Sequence, residues 1–125
     1  MNVKRCADCG NSPKNSFAED IAVALLGADE SAAARILTQD AILDVVGAER
    51  VVGRDEILSR LIASDSLDVS TVVTHGRAGA VAGKVTRDRV QARFSMVIRF
   101  ATAKADAVSL VELYSPTPHI FGAAS

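Results

Sequence analysis

Five polar side chains and one cysteine pair are the groups in this chain whose types and placement could do chemistry. His75 falls near the end of an expected strand, beside Gly76, which permits close backbone approach. An imidazole titrates near neutrality and can serve as a general base. The competing reading is a histidine that hydrogen-bonds a neighbouring strand or turn, since one histidine without a placed partner meets only the first test for a site. Asp44 falls mid-strand, where aspartate is disfavoured, on the face shared by Ile42 and Val46. If that face looks inward, Asp44 is a buried carboxylate suited to proton abstraction; if outward, it is ordinary surface. Glu112 and Tyr114 share one face of the last strand with Leu110, and Arg99 on the preceding strand could lie across from them. Arg99, Glu112 and Tyr114 could then hold a polar ligand. Equally, Arg99 and Glu112 could be a cross-strand pair on the outer face, worth roughly 0.2–1 kcal/mol. Cys6-Ala7-Asp8-Cys9 is a single CxxC, half of a tetrahedral zinc site. His75, His119 or a second copy would have to complete it. A redox pair and two unbound thiols on a polar arm are the other readings.

The elements that must position these groups centre on Val90–Tyr114. Phe94, Met96, Ile98 and Phe100 alternate with Arg93, Ser95, Val97 and Arg99, the period of a strand with unlike faces. A turn at Ala103–Asp106 leads to a second strand in which Val111 and Leu113 alternate with Leu110, Glu112 and Tyr114. A two-stranded ribbon buries too little to stand alone, so the rest of the chain must cover it. Upstream, residues 1–11 read as a polar arm. Ser12-Pro13 supplies an N-cap with proline at the first helical position, and Ser16-x-x-Glu19 offers a second start as a capping box. That helix is expected to stop at Gly27. Asp29 caps a shorter helix to about Leu37. Asp40–Val46 is a strand, Val51-Val52 pairs back on it, and Gly53-Arg54-Asp55-Glu56 opens a third helix with Ile57, Leu58, Leu61 and Ile62 inward. Strands follow at Asp68–His75 and Ala80–Val85. Residues 116–125, with two prolines, read as a loosely held tail. Helices segregated from a curved antiparallel sheet make an α+β fold, here one domain over residues 12–115. The apolar content of both sheet faces favours a homodimer through the sheet.

Composition narrows the function classes. The 125 residues are 49% apolar and only 4% aromatic, so the core is built from Val, Leu, Ile and Ala. Fourteen Lys and Arg against 15 Asp and Glu give a net charge of −1, which argues against a nucleic-acid binder. No apolar run approaches the ~20 residues needed to cross a bilayer, and the charged start lacks the apolar stretch of a secretory signal. The expected location is the cytoplasm, where the cysteines would be reduced thiols or metal ligands.

Two sets of residues carry a family resemblance. Val51-Val52-Gly53-Arg54-Asp55-Glu56-Ile57 is similar to the helix start of the nuclear transport factor 2-like (SnoaL-like) superfamily, and the likeness runs from about Asn15 to Ser115. More narrowly, the chain resembles bacterial members with an arm like Cys6-Ala7-Asp8-Cys9-Gly10-Asn11-Ser12-Pro13-Lys14-Asn15, a Thr74-His75-Gly76 element, and a glycine in the next strand, here Gly83. The resemblance implies a cone: a curved sheet wrapped around a long helix, with a pocket at the open end. It implies a small-molecule isomerase, cyclase, dehydratase or hydrolase, or an inert binding or dimerisation module, so fold does not choose function. It also implies that Leu43 lines the pocket, at a position where many relatives carry tryptophan. The sequence departs from a ketosteroid isomerase, which needs an Asp base with a Tyr and a neutral acid, because Tyr114 is the only tyrosine.

Two functions are therefore carried forward. One is a small-molecule pocket protein acting by acid–base chemistry through His75 and Asp44, with Tyr114 orienting an apolar or mixed-polarity substrate. It requires those groups to converge on one cavity. The other is a non-catalytic dimeric ligand-binding or interaction module, which requires a small or absent cavity and a large sheet interface. Neither needs a cofactor; zinc at Cys6 and Cys9 could stabilise either.

Overall fold

The computed structural model describes residues 1–10 and 12–117. In chain order the elements are β1 (Asn2–Lys4), α1 (Pro13–Leu26), α2 (Glu30–Ile36), β2 (Leu37–Val45), β3 (Glu49–Val52), α3 (Arg54–Arg60), β4 (Ser66–His75), β5 (Ala78–Arg87), β6 (Val90–Phe100) and β7 (Val108–Tyr114). The strands form one seven-stranded sheet in the order β1-β4-β5-β6-β7-β2-β3. Its β1–β4 and β2–β7 pairings are parallel; the others are antiparallel. The architecture is the expected α+β one.

Local chemistry sets the helix ends. The Ser12 hydroxyl accepts from the Asn15 N–H at 3.0 Å, with Pro13 at the first helical position. Ser16 is therefore not the start, and Glu19 is free for another task. Asp29 caps α2 by accepting from the Ala32 N–H at 3.1 Å. Gly53 caps α3 without a side-chain bond, and Asp55 and Glu56 occupy its first turn. Ile62 departs from expectation: α3 ends at Arg60 and Ile62 is exposed.

The sheet has two unlike faces. Phe94, Met96, Ile98 and Phe100 are buried against the helices, with the Phe17 and Phe100 ring centroids 6.0 Å apart. Ala18 and Ala22 are fully buried and let α1 lie close on the sheet. The opposite face, called outer below, carries Arg93, Ser95, Val97 and Arg99.

The arm departs from expectation. Its residues 2–4 form β1, in register with Ser66–Asp68 at the edge of β4. The tail expected at 116–125 lies outside the described residues from residue 118 on, as does His119.

Candidate functional site

Between helices and sheet lies a cavity of about 20 Å³ among Leu25, Leu26, Leu43, Met96 and Leu113, with Glu49, Arg60 and Arg87 also at its wall. That is room for roughly one water. Leu43 lines it as expected, but as core. Sequence reasoning missed the charged groups at its wall. Arg60 reaches Glu49 at 2.8 Å and Glu56 at 3.1 Å. Arg87 donates to the Ile62 carbonyl at 2.6 Å and the Ser64 hydroxyl at 3.1 Å. Burial lowers the Arg87 pKa. The Glu56–Arg60 spacing was a readable helical pair; Glu49 and Arg87 come from strands whose neighbours no local pattern fixes.

None of the expected acid–base groups faces this interior. Asp44 lies on the outer face, a quarter exposed, with Arg50 at 3.5 Å and Glu112 opposite in register. His75 is exposed at the end of β4, paired in register with Ala78. Strands β5, β6 and β7 separate it from β2. His75 and Asp44 thus stand four strands apart in the sheet and on different cross-strand rows, and neither is a hydrogen-bond partner of the other. Tyr114 is exposed, and its hydroxyl donates to the Glu112 carboxylate at 3.4 Å. The negative charge of Glu112, then partial desolvation, that hydrogen bond and the charge of Asp44 raise the phenol pKa. Arg99 stands in register with Leu110, and Glu112 with Val97, so Arg99 and Glu112 are diagonal neighbours and not directly opposite one another. The structure thus brings together Asp44, Glu112 and Tyr114, with Arg99 diagonal to Glu112, and leaves His75 apart from them.

A second concavity, of about 610 Å³, lies on the outer face. Asp68, Lys84 and Arg93 form one cross-strand row along its floor, and Ser70, Ser95 and Tyr114 also line it.

The cysteine expectation needs correction. Cys6 and Cys9 are joined by a disulfide, and in that form neither sulfur is a free thiol or a thiolate able to bind zinc. Among the described residues no group of three or more His, Cys, Asp and Glu is placed to hold a metal. The arm and the Thr74-His75-Gly76 element instead meet along the edge of β4. The Val72 N–H donates to Cys9 Sγ at 3.1 Å. Asn15 Nδ2 donates to the Cys9 carbonyl at 2.8 Å, and its Oδ1 accepts from the Thr74 hydroxyl. Lys14 Nζ donates to the Gly76 carbonyl at 3.1 Å. Glu19, nearly buried, accepts from the Cys6 N–H at 2.8 Å and pairs with Arg5 at 3.1 Å. These contacts give the two most distinctive sequence elements one structural task, docking the arm.

No family model and no curated protein matches the sequence. Solved structures do match in fold. A nuclear transport factor 2-like protein of unknown function from Burkholderia xenovorans superposes with a TM-score of 0.66 at 18% identity, over 79% of this chain and 81% of its own. A provisionally named ketosteroid isomerase from Kribbella flavida gives 0.69 at 20%, over 82% and 77%. A provisionally named SnoaL-like polyketide cyclase from a Jannaschia species gives 0.66 at 11%, over 89% and 93%. The chain has the nuclear transport factor 2-like fold.

Proposed function

We propose that the chain is a non-catalytic dimeric module, whose partner is a second copy seated on the outer face of the sheet. The observation that carries this reading is the small cavity between helices and sheet: about 20 Å³ is too little for a substrate. Against an acid–base enzyme weighs the placement of His75, Asp44 and Tyr114 outside that interior. For a second copy speaks the makeup of the outer face. One cross-strand row runs Val73, Ala80, Val97, Glu112, Asp44. Val73 is 57% and Val97 36% exposed, and Ala80 between them leaves the surface low. Acidic Asp44 and Glu112 lie on β2 and β7, with Arg50 of β3 beside Asp44, and basic Lys84 and Arg93 lie on β5 and β6, with Asp68 of β4 opposite Lys84. A two-fold axis can set the basic corner of one copy against the acidic corner of the other.

The proposed module spans residues 12–115, with residues 1–11 as an arm that adds β1 to the edge of its sheet. Its proposed setting is the cytoplasm, where a disulfide persists only as a transient or redox-sensing bond. A second reading is favoured by one observation. Lys84 and Arg93 stand directly opposite one another in a 610 Å³ concavity, with Asp68 opposite Lys84 on its other side, so the row keeps one net positive charge that suits a small anionic ligand.

Sedimentation over a range of concentrations tests the dimer. The intact chain is expected to dimerise, and Val97→Asp, exposed and away from the core, to weaken association at least about tenfold. A chain that stays monomeric at high concentration, or a variant that associates unchanged, would overturn the proposal.

A further inference from the structure

We infer that Cys6 and Cys9 are a thiol–disulfide exchange site for low-molecular-weight thiols, in which the incoming thiolate attacks Cys6 and Cys9 leaves onto the Val72 N–H. The disulfide closes a loop of sequence separation 3, so it ties no distant segments together. The arm is docked without it, through the β1–β4 pairing, the Asn15 bridge and the Cys6 N–H bond to Glu19. A bond that adds no connection between elements can open without unfolding them. It is also reachable: both cysteines are half-buried, and Ala7, Asp8 and Gly10 around them are exposed.

The two sulfurs have opposite surroundings. Cys9 Sγ sits 3.1 Å from the Val72 N–H, a donor that stabilises a thiolate. Cys6 Sγ sits 3.4 Å from the Ser70 carbonyl oxygen, an acceptor. In the disulfide Cys6 carries no hydrogen, so that approach makes no hydrogen bond. In the reduced protein the Cys6 S–H donates there. The β4–β5 register shifts between Val69 and Thr71, which makes Ser70 the extra residue of a bulge. Both sulfurs are thus hydrogen-bonded after reduction and only one before it. A couple whose reduced form is the better stabilised is readily reduced.

The exchange balances as follows. A thiolate bonds to Cys6 Sγ as the Cys6–Cys9 bond breaks, and the electron pair leaves on Cys9. A second thiolate attacks the mixed disulfide at the sulfur of the first, releasing the small disulfide and the Cys6 thiolate, which takes a proton. Two thiols lose two electrons and two protons. The protein gains the two electrons and one proton, and the other proton goes to solvent.

The test is to reduce the intact chain with millimolar glutathione, quench with acid at intervals, and map adducts and thiols by mass spectrometry. The bond is expected to open with the circular dichroism of the fold unchanged, and the transient glutathione adduct to sit on Cys6 in severalfold excess over Cys9. Near neutral pH, Cys9 in the Cys6→Ser variant should alkylate severalfold faster than Cys6 in the Cys9→Ser variant. A bond that resists glutathione until the chain is denatured, an adduct mainly on Cys9, or equal or reversed alkylation rates would each overturn the inference.

Discussion

A β-carbon at Gly83 would run into the carbonyl oxygen of Asp68 and stand 3.0 Å from the Val69 Cα. The obstacle is backbone, which cannot swing aside. Gly83 is in register with Val69, next to the bulge residue Ser70. Gly83→Ala should therefore cost more than about 2 kcal/mol, read as a lowered denaturant midpoint; an unchanged midpoint would mean that the bulge is not as described. Tyr114 offers a cleaner electrostatic test, because it is the only tyrosine and its phenolate absorbance reports one group. With its pKa raised chiefly by Glu112, the folded chain holds the phenolic proton to higher pH than the unfolded chain. Stability tied to this group is complete below the ordinary tyrosine range and falls as pH climbs past it. Glu112→Gln should move the absorbance midpoint downward; a midpoint that stays put would remove Glu112 as the cause. The caps Ser12 and Asp29 were legible in the sequence because a cap acts within three residues. The separation of His75 from Asp44 was not legible, since it depends on which strands become neighbours.

At the scale of elements, the β5–β6 hairpin turns through Asp88 at φ 51° and Arg89 at φ 68°, both left-handed and neither glycine. A two-residue turn of this hand matches the twist of the strands, and asparagine followed by glycine is its preferred pair. Arg89 therefore holds a strained conformation of roughly 1–2 kcal/mol, of which glycine would return part in unfolded-state entropy. Arg89→Gly is expected to stabilise the chain by about 0.5–1 kcal/mol, visible as a higher thermal midpoint; a lower midpoint would show that the arginine side chain contributes more than the strain it carries. The long strand β6 was readable because nearly all of its 11 residues alternate, which leaves little choice of face. The three residues of β1 were not. Asn2-Val3-Lys4 has no usable period, and its partner strand starts more than sixty residues on. The same distance hid the meeting of the arm with Thr74-His75-Gly76.

At the scale of the molecule, a cone of this fold can be a chamber or a core, and the two respond differently to lost volume. A chamber wall faces space already occupied by water or ligand, so trimming it removes few contacts. A core wall faces other side chains on every side, so trimming it leaves a void that the surroundings only partly fill. The sequence could not choose, because Leu, Met and Val line either kind of space equally well. What decides is how far the helices sink onto the sheet, and that is a property of the whole packing. Leu43 is the residue to trim. It is 8% exposed, projects from β2 into the remaining cavity, and meets Leu25, Leu26, Met96 and Leu113 around it. If the cone is a core, Leu43→Ala should cost about 2–4 kcal/mol in equilibrium denaturation and enlarge the cavity enough to take up a small apolar probe such as benzene. The unaltered chain should take up none. If the cone is a chamber, the substitution should cost under about 1 kcal/mol and the unaltered chain should already bind the probe. That second pattern would return catalysis to the interior and reopen the question of which groups carry it, with Glu49, Arg60 and Arg87 at the cavity wall as the first to examine.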